Sequence, residues 1–431
     1  MTKSSLRLAA LAAAALSIAG DAGAQSLSQR VASAPAGPVQ FSFAAREGVC
    51  GNGRTYISSG PNMFTGTFNG SVSDVVRSDP CQPGPVRVVL GRADGEVVDV
   101  NTYVGPPGTT SGATDLGTVP AREAADFLLS LATRVDGRPG RDAIFPATLA
   151  DSVTLSPTLL AIAKDQARSR ETRRTAISYL AREVEARGGA SRSDVASALG
   201  AIARDESDNQ SVRQQALSVL SRLEGGEGIP ALIEISRSTT DTWLGKHATA
   251  SLARSGDPRA RQFLRTAVQR TDIPEETRIS AIRGIGTEYA TSQDAAFLRD
   301  LYGKLESDKT REAVIGSLAE MGGTENAKWL LSITRNANEP LRLRKRAVQT
   351  AEKAGASGAE LIALYDGLQD SEMKSALISV YAQSGTKAAT DKLLAIARTE
   401  PDYQIRRRTI SYLGRSEDPR VKQALKEIVE R

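Results

Sequence analysis

The chain holds 431 residues, with 55 lysines and arginines against 50 aspartates and glutamates, a formal net charge of +5 and a pI near 9.2. Charges this evenly matched exclude a basic tail of the kind that tracks nucleic acid, and the alkaline pI reflects arginine use. One histidine and two cysteines leave no material for a conventional His/Cys metal cluster, and any Ser/His/Asp or Cys/His catalytic set has to use that histidine, His247.

At the start of the chain, Lys3 and Arg7 form a basic segment before a short apolar run, Leu8–Ile18, and Ala22-Gly23-Ala24 offers a small-residue cleavage site. Met1–Ala24 therefore reads as a secretory signal peptide cleaved near Ala24–Gln25, with the mature protein expected in a periplasm or outside the cell. No later apolar run approaches the roughly 18 residues of a membrane span, so membrane insertion is not expected. Residues 25–38 are small, polar and Pro-containing and read as a flexible leader.

Residues 39–104 form a small β-rich domain. Gln40–Phe43, Pro85–Leu90 and Glu96–Tyr103 favour strands through Val, Phe and Tyr with partial alternation, and Ala93-Asp94-Gly95 marks a hairpin turn between the last two. Cys50 and Cys81 both fall here and are expected to pair in an oxidising compartment, stabilising by roughly 3–4 kcal/mol on the chain-entropy account. Residues 105–119, rich in Gly, Pro and Thr, read as a linker. Pro120–Arg134, Gly140–Asp151 (interrupted near Pro146) and Ser156–Gln166 read as helices. Residues 120–170 then form an atypical unit capping the helical array that follows.

That array is the strongest signal in the chain. The segment TRRTAISYL from Thr172 returns as VRQQALSVL from Val212, LGKHATASL from Leu244 and TRISAIRGI from Thr277. It recurs as TREAVIGSL from Thr310, around Arg344, as MKSALISVY from Met373 and as IRRRTISYL from Ile405. One column is basic: Arg173, Arg213, Arg278, Arg311, Arg344, Lys374 and Arg406, with Gly245 as the exception. A second amphipathic segment follows each copy, among them PRARQFLRTAVQR and ENAKWLLSITRN, with apolar residues at helical spacing. Gly256-Asp257-Pro258 supplies a left-handed stop, a cap and a first-turn proline between two such helices. Asp208, Asp272, Asp308, Asp370 and Asp402 stand before the first helices as candidate caps. A hairpin of this kind cannot bury its apolar stripe alone, and stacked neighbours can.

The Arg-x-x-Ala-Ile/Leu-x-x-Leu core and the Gly-Asp-Pro turn resemble the bacterial HEAT-like repeat, the short form seen in phycobilin lyase subunits, over about Ser156–Arg431. Residues 120–431 are accordingly expected to form a mainly α fold, a right-handed α-solenoid of about eight hairpins behind the β-rich domain. The resemblance implies a non-enzymatic scaffold that binds a protein or peptide on its concave surface, without cofactor, metal or nucleic acid. Its alternative is an accessory or chaperone-like subunit of an extracytoplasmic enzyme. The sequence leaves the oligomeric state open.

The sequence contains no Walker loop, no GxSxG elbow and no HExxH. His247 is expected on a helix surface. The basic column either binds anions or bonds the acids and carbonyls of the next loop, and the regular single-residue spacing favours the second. Aligning second helices puts Gln262, Phe297, Trp329 and Gln423 in one column. Its polar members imply exposure, and aromatic residues on a surface suit an interface anchor. The denser basic runs Leu341–Arg346 and Ile405–Arg408 either favour an acidic partner or are solvated helix faces, and the candidate partner-binding residues are Phe297, Trp329, Arg344 and Arg406.

Overall fold

The structure, a computed structural model, describes residues 25–60, 63–66, 80–106, 108, 110–187 and 192–429; the expected signal peptide lies outside them. Two compact units meet at Val153–Thr154.

The described residues of the first unit carry eight strands: β1 (Val39–Phe43), β2 (Cys50–Gly51), β3 (Tyr56–Gly60), β4 (Met63–Gly66), β5 (Gln82–Pro83), β6 (Val86–Ala93), β7 (Glu96–Val104) and β8 (Thr114–Thr118). They form two four-stranded sheets, ordered β7-β6-β1-β8 and β4-β3-β2-β5. Alternation explains the first sheet: Val39, Phe41 and Phe43 of β1 and Val86, Val88 and Leu90 of β6 are fully buried. The β6–β7 hairpin closes through Asp94 and Gly95, whose φ angles of 51° and 83° match the strand twist. Cys50 and Cys81 are joined in a disulfide.

Three expectations are corrected here. The leader is ordered: α1 (Leu27–Ser33) begins with a Ser26 capping box, buries Leu27 and Val31 one helical turn apart, and sends the Leu27 amide to the Glu123 carboxylate at 2.6 Å. The linker contains β8, which pairs parallel with β1. Finally, α2 (Ala121–Arg134), α3 (Arg138–Asp142) and α4 (Ile144–Thr148) belong to the first unit instead of capping the second. Phe127 of α2 packs edge-on to Phe41, with centroids 6.0 Å apart, and Arg46 and Asp151 exchange backbone bonds with Leu149 and Ala44. Helix α2 carries its apolar residues on one broad face, and the sheet offers the matching surface.

The second unit opens with α5 (Ser156–Lys164), whose Leu155 amide is held by the buried carboxylate of Glu183. Eight helical hairpins follow. Their first helices are α6 (Arg170–Arg187), α8 (Gln210–Leu220), α10 (Thr242–Arg254), α12 (Glu275–Ile285), α14 (Asp308–Met321), α16 (Leu341–Ala354), α18 (Ser371–Ser384) and α20 (Tyr403–Leu413). Their second helices are α7 (Arg192–Arg204), α9 (Ile229–Ser238), α11 (Pro258–Ala267), α13 (Ser292–Tyr302), α15 (Thr324–Arg335), α17 (Gly358–Asp366), α19 (Lys387–Thr399) and α21 (Pro419–Val429). First helices pack on first helices, and each second helix packs on the first helix that follows it, so the apolar stripes meet in one continuous core. Glycines let the first helices approach closely: a Cβ on Gly284 would stand 2.8 Å from that of Ala253, and one on Gly245 would stand 2.6 Å from the Thr277 hydroxyl. The exception in the basic column is therefore a packing position. Among the described residues no helix is long and apolar enough to cross a membrane.

The caps follow the turn chemistry in part. Asp257, Asp370 and Asp402 cap α11, α18 and α20, and Gly256 is left-handed at φ 67°. Asp208, Asp272 and Asp308 do not cap. Asn209, Pro274 and Ser307 hold those positions, and Asp241 caps α10. Asp208 and Asp272 are instead engaged in ion pairs with Arg173 and Arg270, whereas Asp241 and Asp370 both cap a helix and pair with an arginine.

Candidate partner-binding surface

Five members of the basic column on the first helices pair with carboxylates inside the fold, and Arg406 bonds carbonyls. Half-buried Arg278 leaves its Nε without a hydrogen-bond partner among the described residues. Arg173 donates from Nε to the Ala163 carbonyl at 2.9 Å, and both terminal nitrogens reach the Asp208 carboxylate at 2.5 Å. Both side chains are almost wholly buried, at 4% and 3% exposed. The same arrangement recurs. Arg213 bonds the Ala203 carbonyl and Asp241, and Arg344 bonds the Thr334 carbonyl and Asp370. Arg311 meets Glu339, and Lys374 meets Glu400. Each cation thus ties the end of the preceding second helix, or the start of the next first helix, to its own helix. Burying a charge is tolerable only with such complete pairing, which makes this column a register device.

This settles the positions of two candidate residues. Arg344 is buried and bonded within the fold, so it offers nothing to a partner. Arg406 is half-buried and spends its Nη1 on the Glu400 and Pro401 carbonyls.

Two of these junctions carry a tyrosine that sequence reading missed. The Tyr302 hydroxyl donates to Glu339 at 3.0 Å while Arg311 stacks on its ring at 4.4 Å. The Tyr365 hydroxyl donates to Glu400 at 2.7 Å with Lys374 at 5.2 Å from its ring. Burial first, and then the adjacent carboxylate, pushes both hydroxyls far above their ordinary range. Burial alone would raise the Glu400 carboxyl as well, but the bonds from Tyr365 and Lys374 hold it below the usual range. The available signal was a tyrosine nine positions before the basic residue, present in these two units.

The aromatic column lies at the surface. Gln262 and Gln423 are exposed and Phe297 and Trp329 half-buried. Trp329 packs edge-on to Tyr302 with centroids 5.0 Å apart, so one part of its ring holds neighbouring repeats together and the rest faces outward. Phe297 stands on α13 and Trp329 on α15. At the turns of the α12–α13 and α14–α15 hairpins opens a crevice of about 930 Å³, lined by Arg283, Arg299, Glu320 and Glu325 and by the turn at Gly322-Gly323, with neither Phe297 nor Trp329 in its lining. Beneath it the second helices are cross-tied. Asp294, wholly buried, accepts from Arg265 at 2.5 and 2.9 Å and from the Thr291 amide and hydroxyl, and Arg299 donates to Asn326. Burial opposes the charge on Asp294, yet the bonds from Thr291 and Arg265 hold its carboxyl below the ordinary range.

His247 is half-buried and lies against Trp243, with ring centroids 4.6 Å apart. Burial, aided by Lys246 and Arg254, lowers its pKa. No set of three or more His, Cys, Asp or Glu residues is grouped to hold a metal among the described residues.

A family model described as HEAT repeats matches residues 196–275, from within α7 to the start of α12. Comparison of the sequence with curated proteins found no match. Among solved structures, human deoxyhypusine hydroxylase is similar at 17% identity and a TM-score of 0.28, over 55% of this chain and 96% of that one. The CpcE–CpcF complex of phycocyanin lyase from Nostoc is similar at 17% identity and a TM-score of 0.28, over 55% and 92%. The matched repeat, its recurrence along the chain and the stacked hairpins make the helical unit of this protein an array of HEAT-like repeats.

Proposed function

We propose that this protein is an exported, non-enzymatic scaffold whose helical array holds a protein or peptide on its second-helix face, around Phe297 and Trp329. The observation that carries this reading is the contrast between the two columns. Most of the basic column is bonded inside the fold, whereas the polar column on the second helices carries two half-exposed aromatics. Partly exposed tryptophan with a rigid support is a common anchor of protein interfaces, and truncating such an anchor typically removes about 2 kcal/mol or more of binding. The supporting Tyr302 is fixed in turn by Glu339 and Arg311. Export rests on the reading of Met1–Ala24 and agrees with a chain whose two cysteines are paired.

Trp329→Ala tests the binding surface. On this reading the variant melts close to the parent and loses capture of the native partner. A variant that captures the partner at full yield removes Trp329 from the interface. One that loses several kcal/mol of stability, with binding lost only through unfolding, makes Trp329 a packing residue.

A further inference from the structure

The last two first helices differ from those before them. Along the outward face of α12, α14 and α16, cations on one helix meet carboxylates on a neighbour. Lys309 reaches Glu275 at 3.7 Å, Arg342 pairs with Glu312, and Lys353 pairs with Glu320. Aligning Arg344 with Arg406 sets Arg415 of the α20 repeat in the place of Lys353, and Arg407 and Arg408 in the places of Lys345 and Arg346. Aligning Arg311 with Lys374 sets Ser375 and Gln383 in the places of Glu312 and Glu320. Glu372 of α18 still answers Lys345 of α16 and Gln404 stands in the place of Arg342, but Arg415 keeps the cation of Lys353 while the place of its partner Glu320 holds Gln383.

Arg407, Arg408 and Arg415 are all exposed, and none has a carboxylate oxygen within 4.0 Å among the described residues. They ring a groove of about 540 Å³ between α18 and α20, whose floor includes Tyr412. The guanidinium carbons of Arg408 and Arg415 each stand 6.0 Å from the Tyr412 ring, and the Tyr412 hydroxyl is tied to Ser379 at 3.3 Å. Three guanidinium forks around one aromatic floor form a set of bidentate carboxylate receptors.

We propose that this groove docks an acidic peptide segment, whose carboxylates meet the guanidinium groups of Arg407, Arg408 and Arg415. The proposal rests on the reading of the array as a peptide-binding scaffold, but not on Phe297 or Trp329. Glu372 and Asp402 on the groove rim favour a peptide over a nucleic acid. A continuous phosphate chain would run against both, whereas spaced carboxylates fit between them.

The test uses the full chain and a fluorescein-labelled oligoglutamate peptide, followed by anisotropy at low and moderate salt. Saturable binding that weakens with salt is expected, and Arg408→Glu/Arg415→Glu should reduce affinity by about tenfold or more. The same charge reversal at exposed Arg174 on α6 should change it by less than about twofold. Circular dichroism checks that the double variant is folded, and Arg415→Gln, which copies Gln383 chemistry, supplies a milder version with a smaller loss in the same direction. No saturable binding by the parent, or equal binding by parent and double variant, overturns the proposal. So does tighter binding of an oligothymidylate of matched charge that is lost in the same variant. Trp329→Ala should leave oligoglutamate affinity intact, which separates this groove from the second-helix surface.

Discussion

The two units hold themselves together by opposite means. In the first, contacts reach far along the chain: β1 pairs with β8 some 75 positions later, α1 bonds Glu123, and one disulfide spans a 31-residue separation. In the second, one short-range device repeats: a cation on a first helix meets an acid about one repeat onward, again and again. The difference teaches where damage should spread. A repeat array is close to a sum of neighbour terms, so a lesion stays near its hairpin, while a sheet closed by distant segments is lost as a whole.

The sharpest break is Asp208→Ala. It strands the Arg173 guanidinium in a site with almost no water access, and removing one member of a buried pair typically costs about 3–5 kcal/mol. Chemical denaturation gives the size, and hydrogen exchange should place the loss in α6 and α8 with the strands of the first unit unchanged. Removal of the disulfide by Cys50→Ser/Cys81→Ser is expected to cost roughly 3–4 kcal/mol. Here exchange should rise through β1, β6 and β7 together, and protection confined to change near Cys50 alone would break the comparison.

A gentler probe is pH. The folded Asp294 carboxyl lies below its ordinary value, so its contribution is present above the unfolded range near pH 4 and lost as pH falls through the folded value. Asp294→Asn should cost about 1.5–3 kcal/mol at neutral pH, the range for bonds to a charged group, and the gap from the parent should shrink on acidification. A gap that stays constant from neutral pH down to below about pH 3 would show that the charge of Asp294 contributes nothing. The smallest effect belongs to Gln214→Ala on the outward face of α8, expected within about 0.5 kcal/mol.

The same contrast explains what could be read in advance. The hairpins were legible because Arg173, Arg213 and their successors recur at a fixed period and apolar residues flank them at helical spacing. The β6–β7 turn was legible because Asp94-Gly95 carries its geometry locally. The fate of Leu27–Ser33, of Thr114–Thr118 and of α2 was not, because each is decided by a distant surface: Glu123, β1 and Phe41 respectively. At the surface, the column of Phe297 and Trp329 came from repeat alignment. The bonding of Arg344 inside the fold agrees with the single-residue spacing of the basic column, and its place among the partner-binding candidates came only from the density of the Leu341–Arg346 run. The cluster of Arg408, Tyr412 and Arg415 was half visible, because the Arg406–Arg408 run is dense but Arg415 joins it only through the helix.

The central claim is that the second-helix face around Phe297 meets a partner. A photo-crosslinking amino acid placed at Phe297, and separately at exposed Gln214 on a first helix, tests it in the native host. The account predicts one discrete heterologous protein adduct from position 297 and none of comparable yield from position 214. Equal labelling from both positions, or no adduct from position 297, would contradict it.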